Sequence, residues 1–218
     1  MVTPVHIKVC GLNSYADVDH AAGAGARWVG FVHFPKSPRH IEVSKGAEII
    51  RQATEAGLTV ETVLLLVNPT AEEAVELANA FGVDHIQLHG SETNDVISAI
   101  RRARPLGEIW KALPVSEAAD LEAVKDFPAA DRFLFDAKPP KDASRPGGLG
   151  ESFDWTLLQG FECNRPWLLA GGLTPENVAE AVRITGAPGV DVSSGVEAEK
   201  GVKDASKIAA FGEAVRGN

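Results

Sequence analysis

The feature that most constrains the fold is a recurrence. Short apolar runs alternate with amphipathic, Ala- and Glu-rich segments along the whole chain, in the order strand, helix, strand, helix. The strand candidates are residues 5–9, 28–34, 60–67, 85–88, 109–113, 132–135, 167–170 and 190–193. They recur about every 27 residues, close to the shortest strand-plus-helix unit a parallel sheet allows. Helix starts stand between them: Ser14, Ser44, Thr70 with Glu73 as a capping-box pair, Ser91, Ser116, Thr174 with Pro175 behind it, and Asp204. A run such as Val63-Leu64-Leu65-Leu66-Val67, apolar on both faces, suits a strand covered by helices. Repeated to this number, the unit predicts an α/β fold, a closed (β/α)8 TIM barrel. An open doubly wound sheet is the alternative, but it carries a glycine-rich nucleotide loop after its first strand, and Cys10-Gly11-Leu12-Asn13 does not match one. No composition break divides the chain, so residues 1–218 are expected to form one barrel domain, with 139–150 as a long loop after the sixth strand.

Composition narrows the function. With 218 residues, 44% of them hydrophobic and 23% charged, the chain is globular, not disordered or fibrous. Its longest apolar run, 63–67, falls far short of the roughly 20 residues a membrane span needs, and Met1-Val2-Thr3-Pro4 lacks a signal pattern, so a cytoplasmic protein is expected. A net charge of -9 disfavours nucleic acid and anionic membranes as partners, leaving small molecules whose anionic groups answer to the local field of a pocket. Cys10 and Cys163 have no metal-ligand spacing and make no disulfide framework.

In such a barrel the active site lies at the carboxyl ends of the strands. Alternation along the first strand puts His6, Lys8 and Cys10 on one face and Val5, Ile7 and Val9 on the other; the apolar face should meet the helices, which turns Cys10 into the mouth. The same parity turns Arg132, Leu134 and Asp136 inward. A thiol and a carboxyl then face one cavity as a candidate acid/base pair. Gly171-Gly172 after the seventh strand and Ser193-Ser194-Gly195 after the eighth expose backbone N–H groups, expected near helix amino termini, for an anion such as phosphate. No second copy of that site is visible, which favours a ligand with one phosphate. Arg39, on the loop after the second strand, is a further cation whose planar fork suits a carboxylate.

Each residue also has a plainer reading. A strand Cys is often inert core, an Asp at a strand end caps a helix, a loop Arg is a solvated charge, and a Gly-Gly pair only makes a turn. His85 and His89 lack a third ligand at matching spacing and read as core or capping histidines, so no metal site is expected. Trp28, Trp110, Trp155 and Trp167 read as packing residues.

Taken together, Lys8-Val9-Cys10-Gly11-Leu12, Gly30-Phe31-Val32 running into Ser37-Pro38-Arg39, Gln87-Leu88-His89-Gly90 and Phe135-Asp136-Ala137 resemble the phosphoribosylanthranilate isomerase family. So do Gly147-Gly148-Leu149-Gly150 leading to Phe153-Asp154-Trp155, Leu169-Ala170-Gly171-Gly172-Leu173, and Asp191-Val192-Ser193-Ser194-Gly195-Val196-Glu197. The resemblance covers essentially the whole chain in order. It implies a cofactor-free Amadori rearrangement in tryptophan biosynthesis, with Asp136 as general acid, Cys10 as general base, and Arg39 on the anthranilate carboxylate. Backbone groups of Gly172, Ser194 and Gly195 would bind the phosphate, while Asp191 and His89 would line the sugar site. Isolated aspartate and thiol have pKa values of about 3.9 and 8.5, so both begin in the wrong state for these roles at neutral pH. Lys8 is the nearest sequence candidate for lowering the thiol. Leu149 stands where the family has a small hydroxyl residue, and the third strand ends Leu65-Leu66-Val67-Asn68 where a Gly-containing version is typical.

Competing readings are a bifunctional sugar-phosphate isomerase that also serves histidine synthesis, a metal-dependent pentulose-phosphate epimerase, and a non-catalytic sugar-phosphate-binding barrel. Cys10 stands where the first of these would offer an aspartate. A barrel of this size is compatible with a monomer or a homodimer.

Overall fold

The computed structural model describes residues 4–138, 147, 150 and 152–217. Its eight parallel strands are β1 (His6–Cys10), β2 (Trp28–Val32), β3 (Glu61–Leu66), β4 (His85–Leu88), β5 (Ile109–Val115), β6 (Arg132–Ala137), β7 (Trp167–Leu169) and β8 (Gly189–Val192). They pair in sequence order, and β8 returns to β1 to close the barrel, with Lys8 in register with Asp191 and Cys10 with Gly30. Outside the strands lie α1 (Tyr15–Gly23), α2 (Val43–Glu55), α3 (Ala71–Phe81), α4 (Asn94–Ala103), α5 (Val178–Thr185) and α6 (Ala205–Arg216). A short antiparallel hairpin, β9 (Glu197–Glu199) and β10 (Val202–Lys203), comes after β8.

Helix starts show where local chemistry decided the boundary. Ser14 accepts the Asp17 N–H, Thr70 and Glu73 form the reciprocal capping box, and Asp204 accepts the N–H groups of Ser206 and Lys207, all as the sequence predicts. Four starts differ. Helix α2 begins one residue before Ser44, because Ile41 is still bonded to Val32 and the chain turns at Glu42. Ser91 is spent on Asn68 Oδ1, so α4 starts after Thr93. Ser116 gives its N–H and its hydroxyl to Asp120, and the next segment, Ala118–Asp126, winds as a 3-10 helix rather than an α-helix. Thr174 donates its N–H to Asn177 Oδ1, and α5 begins only at Val178.

Alternation along the strands divides the core. Outward residues, among them Ile7, Val9, Val29, Phe31, Leu64, Leu66, Ile86 and Leu88, pack against the helices. Inward residues Trp28, Val63, Trp110, Ala112, Leu134 and Leu168 fill the barrel centre. Each such aliphatic side chain fully buried adds about 1.5–3 kcal/mol of transfer free energy. The amino-terminal end of the barrel is closed by a polar-aromatic layer. The Arg132 guanidinium lies 4.7 Å over the Trp28 ring and 5.0 Å over that of Trp110, and it is held from below by both oxygens of Glu108, at 3.0 and 3.1 Å. Trp28 and Trp110 donate their indole N–H groups to Glu61 and Glu108. His85 sits in this layer, 2.7 Å from Glu61, as a structural histidine.

Candidate active site

The opposite end is a cavity. Its walls bring together Cys10 from β1, Arg39 from the β2–α2 loop, His89 from the loop after β4, Asp136 from β6, Gly171 and Gly172 after β7, and Asp191, Ser193 and Ser194 from the end of β8. Val32, Phe34, Leu65 and Val67 line an apolar side of it. Thus the inward parity read from the sequence holds for Cys10, Asp136 and Lys8.

Cys10 is buried, and Gly30 explains how it fits. Gly30 faces Cys10 across the β1–β2 register, and a Cβ there would stand 2.8 Å from Sγ and 3.2 Å from Lys8 Nζ. The fully buried Lys8 ammonium donates to Asp191 Oδ1 at 2.8 Å and lies on the same inward face of β1 as Cys10. Lys8 does pull the thiol down, as the sequence suggests, but the pull does not win. Burial pushes Cys10 above the ordinary thiol value and Asp191 adds to the rise, outweighing the pull of Lys8 and Lys203.

Asp136 is pinned at both oxygens. Oδ1 accepts the Ala137 N–H at 2.9 Å, and Oδ2 lies 3.2 Å from His89 Nε2, whose other ring nitrogen is 3.3 Å from the Gln87 amide. Two glycines make room for this arrangement: a Cβ at Gly147 would lie 2.7 Å from both Oδ2 and His89 Nε2, and one at Gly171 would lie 2.8 Å from Oδ1. The sequence marks Gly147 as part of the family motif but assigns it no role. Leu149, with most of 139–150, lies outside the described residues.

The backbone expected to bind an anion differs from expectation in its setting: Ser194–Val196 is a single 3-10 turn and α5 starts six residues beyond Gly172, so these N–H groups belong to loops and not to the end of a long helix. Within the described residues no hydrogen bond uses the N–H groups of Gly172, Ser194 or Gly195. Gly171 and Gly172 hold φ of 85° and 63°, a backbone that a side chain would strain. Gly195 packs against the Leu173 carbonyl, which leaves no room for a Cβ.

Arg39 is a cavity residue but not an isolated cation. Its Nε and Nη2 bond Glu197 Oε1 and Oε2, and Glu197 also accepts from Lys203 at 3.0 Å and from the Gly201 N–H. Lys203 in turn donates to the Ser193 carbonyl at 2.9 Å, and the Ser193 hydroxyl donates to the Cys10 carbonyl at 3.0 Å. Sequence reasoning misses Glu197 and Lys203 as site residues. Their signal is the Glu199-Lys200-Gly201 turn, with Gly201 at φ 87°, which folds the chain back to bring Lys203 under the mouth.

A closed parallel barrel whose carboxyl-terminal mouth carries a buried thiol, a pinned carboxylate and paired glycines has the architecture of a TIM-barrel enzyme. The family model described as N-(5'phosphoribosyl)anthranilate (PRA) isomerase matches residues 7–214. An N-(5'-phosphoribosyl)anthranilate isomerase of Paracoccus denitrificans is 50% identical over 208 residues, covering 95% of each chain, and one of Paramagnetospirillum magneticum is 48% identical over 215 residues, covering 98% of each. The crystal structure of the phosphoribosyl anthranilate isomerase of Thermotoga maritima superposes with a TM-score of 0.86 at 33% identity, over 98% of this chain and 100% of that one. The chain belongs to the N-(5'-phosphoribosyl)anthranilate isomerase family.

Proposed function

We propose that the chain converts N-(5-phosphoribosyl)anthranilate to 1-(2-carboxyphenylamino)-1-deoxyribulose 5-phosphate with Asp136 as general acid and Cys10 as general base. The observation that carries these roles is that one cavity holds both groups, with Arg39, Gly172 and Ser194 also lining it. A related isomerase structure is described in complex with the reduced form of that product; it is 31% identical, with a TM-score of 0.82 over 98% of this chain and 100% of that one.

In this reading the phosphate takes the N–H groups of Gly172, Ser194 and Gly195, and the anthranilate carboxylate meets Arg39. Glu197 holds the Nε–Nη2 edge of that guanidinium. The aromatic ring then rests on the apolar side formed by Phe34, Leu65 and Val67. Asp136 gives its proton to the furanose ring oxygen, the C1–O bond breaks, and the nitrogen lone pair closes the Schiff base. Cys10 as thiolate takes the C2 proton, and the electron pair moves through C1 to the nitrogen, giving the enolamine that becomes the ketone. His89 and Asp191 border the sugar between the two groups. The whole chain acts as one cytoplasmic domain, as a monomer or a homodimer.

The test is the loss of anthranilate-derivative fluorescence when freshly generated substrate meets the wild type or Cys10→Ala. Turnover that disappears in the variant supports both reaction and base. A folded wild type with no turnover overturns the reading.

A further inference from the structure

Assigning Cys10 as the base raises a question of charge. A buried thiol resists ionisation, and the cation beside it is already engaged: Lys8 Nζ lies 2.8 Å from Asp191 Oδ1, in register on the neighbouring strand. The three groups form one cluster inside the barrel. Gly30 supplies the gap, since a Cβ there would press on both Cys10 Sγ and Lys8 Nζ. Lys8 has no exposure at all, whereas the Asp191 side chain keeps 11% and reaches the cavity.

We propose that Lys8 is a positioning residue that stabilises the Cys10 thiolate, and that Asp191, by competing for the Lys8 ammonium, restrains how readily that thiolate forms. The inference rests on the reading of Cys10 as general base. Other charged groups face the thiol, and none takes this place. Lys203, from the hairpin, is spent on the Ser193 carbonyl and Glu197. Arg39 is clasped by Glu197, and Asp136 and His89 pair with each other across the cavity. The directions of the shifts agree with the geometry. Burial raises Cys10 most, Asp191 raises it further, and Lys8 and Lys203 oppose the rise. Burial acts against the Lys8 charge, and Asp191 and Cys10 more than offset it, so the ammonium persists.

The two partners of the ion pair must therefore act on the thiol with opposite signs. The pH dependence of Cys10 alkylation by iodoacetamide reads this directly, with the Cys10 peptide quantified by mass spectrometry and Cys163 followed separately. Asp191→Asn should lower the midpoint, and Lys8→Met should raise it, each by about one pH unit or more, the range an adjacent charge produces. Circular dichroism checks that each variant is folded. Should Lys8→Met not fold because it strands the Asp191 carboxylate, the double variant Lys8→Gln/Asp191→Asn replaces both charges, and its midpoint should lie above that of Asp191→Asn alone. A midpoint that does not fall in folded Asp191→Asn overturns the proposal. Alkylation needs no substrate, so the two readings fail separately. Full turnover by Cys10→Ala removes the base assignment, whereas unmoved midpoints remove only the role of the ion pair.

Discussion

Glu197 clasps the Arg39 guanidinium with both carboxylate oxygens, Nε to Oε1 at 2.5 Å and Nη2 to Oε2 at 3.0 Å, with both side chains buried. Between them they join the β2–α2 loop to the hairpin after β8, and Lys203 extends the link to the Ser193 carbonyl at the end of β8. Removing one member of such a pair leaves the other buried without its counter-charge. Glu197→Ala should cost about 3–5 kcal/mol in urea unfolding, and a cost near zero would show the pair to be dispensable.

In the proposed roles, Asp136 as acid and Cys10 as base would act in the transition state more than in binding. Cys10→Ala and Asp136→Asn should each lower kcat by on the order of a hundredfold or more while KM changes little, because general acid or base catalysis contributes about 10²–10⁴-fold. Steady-state kinetics decide it, and near-normal kcat in either variant takes that residue out of the mechanism.

Gly30 tests the placement of the Cys10 thiol without replacing it. A methyl group at this position meets Sγ and the Cys10 backbone, at 2.8 and 3.2 Å, so Gly30→Ala must displace the thiol or the Lys8 ammonium. A displacement of this kind costs on the order of a hundredfold in kcat/KM. Unchanged kcat/KM would mean that the thiol position is not critical.

The floor of the barrel sets an acid limit on stability. Burial raises the carboxyl groups of Glu61 and Glu108, but His85 and Arg27 outweigh it at Glu61, and Arg132 and Trp110 at Glu108, leaving both below the ordinary glutamate value. With the folded value depressed, the stabilisation is present above the unfolded glutamate pKa of about 4.3 and is lost as pH falls through the lower folded value. The urea midpoint should therefore drop between pH 6 and pH 3, and Glu108→Gln should shrink that drop. An equal drop in the variant would place the acid sensitivity elsewhere.

The barrel is legible in the sequence because its signal is distributed. Apolar runs such as 63–67 and the caps at Ser14, Thr70 and Asp204 each encode their element locally, and strand parity carries Cys10 and Asp136 into the mouth. Caps fail where a side chain finds a distant partner, as Ser91 does in Asn68, a tie across 23 residues that no local pattern encodes. The same limit hides the environment of the site. Parity turns Lys8 inward, but the Asp191 partner that engages its charge lies 183 residues away. Glu197 meets Arg39 across 158 residues, so Arg39 reads as a separate cation until the chain closes on itself.

The layer of Arg132, Trp28 and Trp110 has a consequence for traffic. With that end of the barrel stoppered by stacked rings and a guanidinium, the catalytic chamber is a cup and not a conduit. Whatever water a ligand displaces leaves by the rim through which the ligand arrives, and product departs by the same route. Entry and exit therefore share one doorway, and whatever occupies it competes with both.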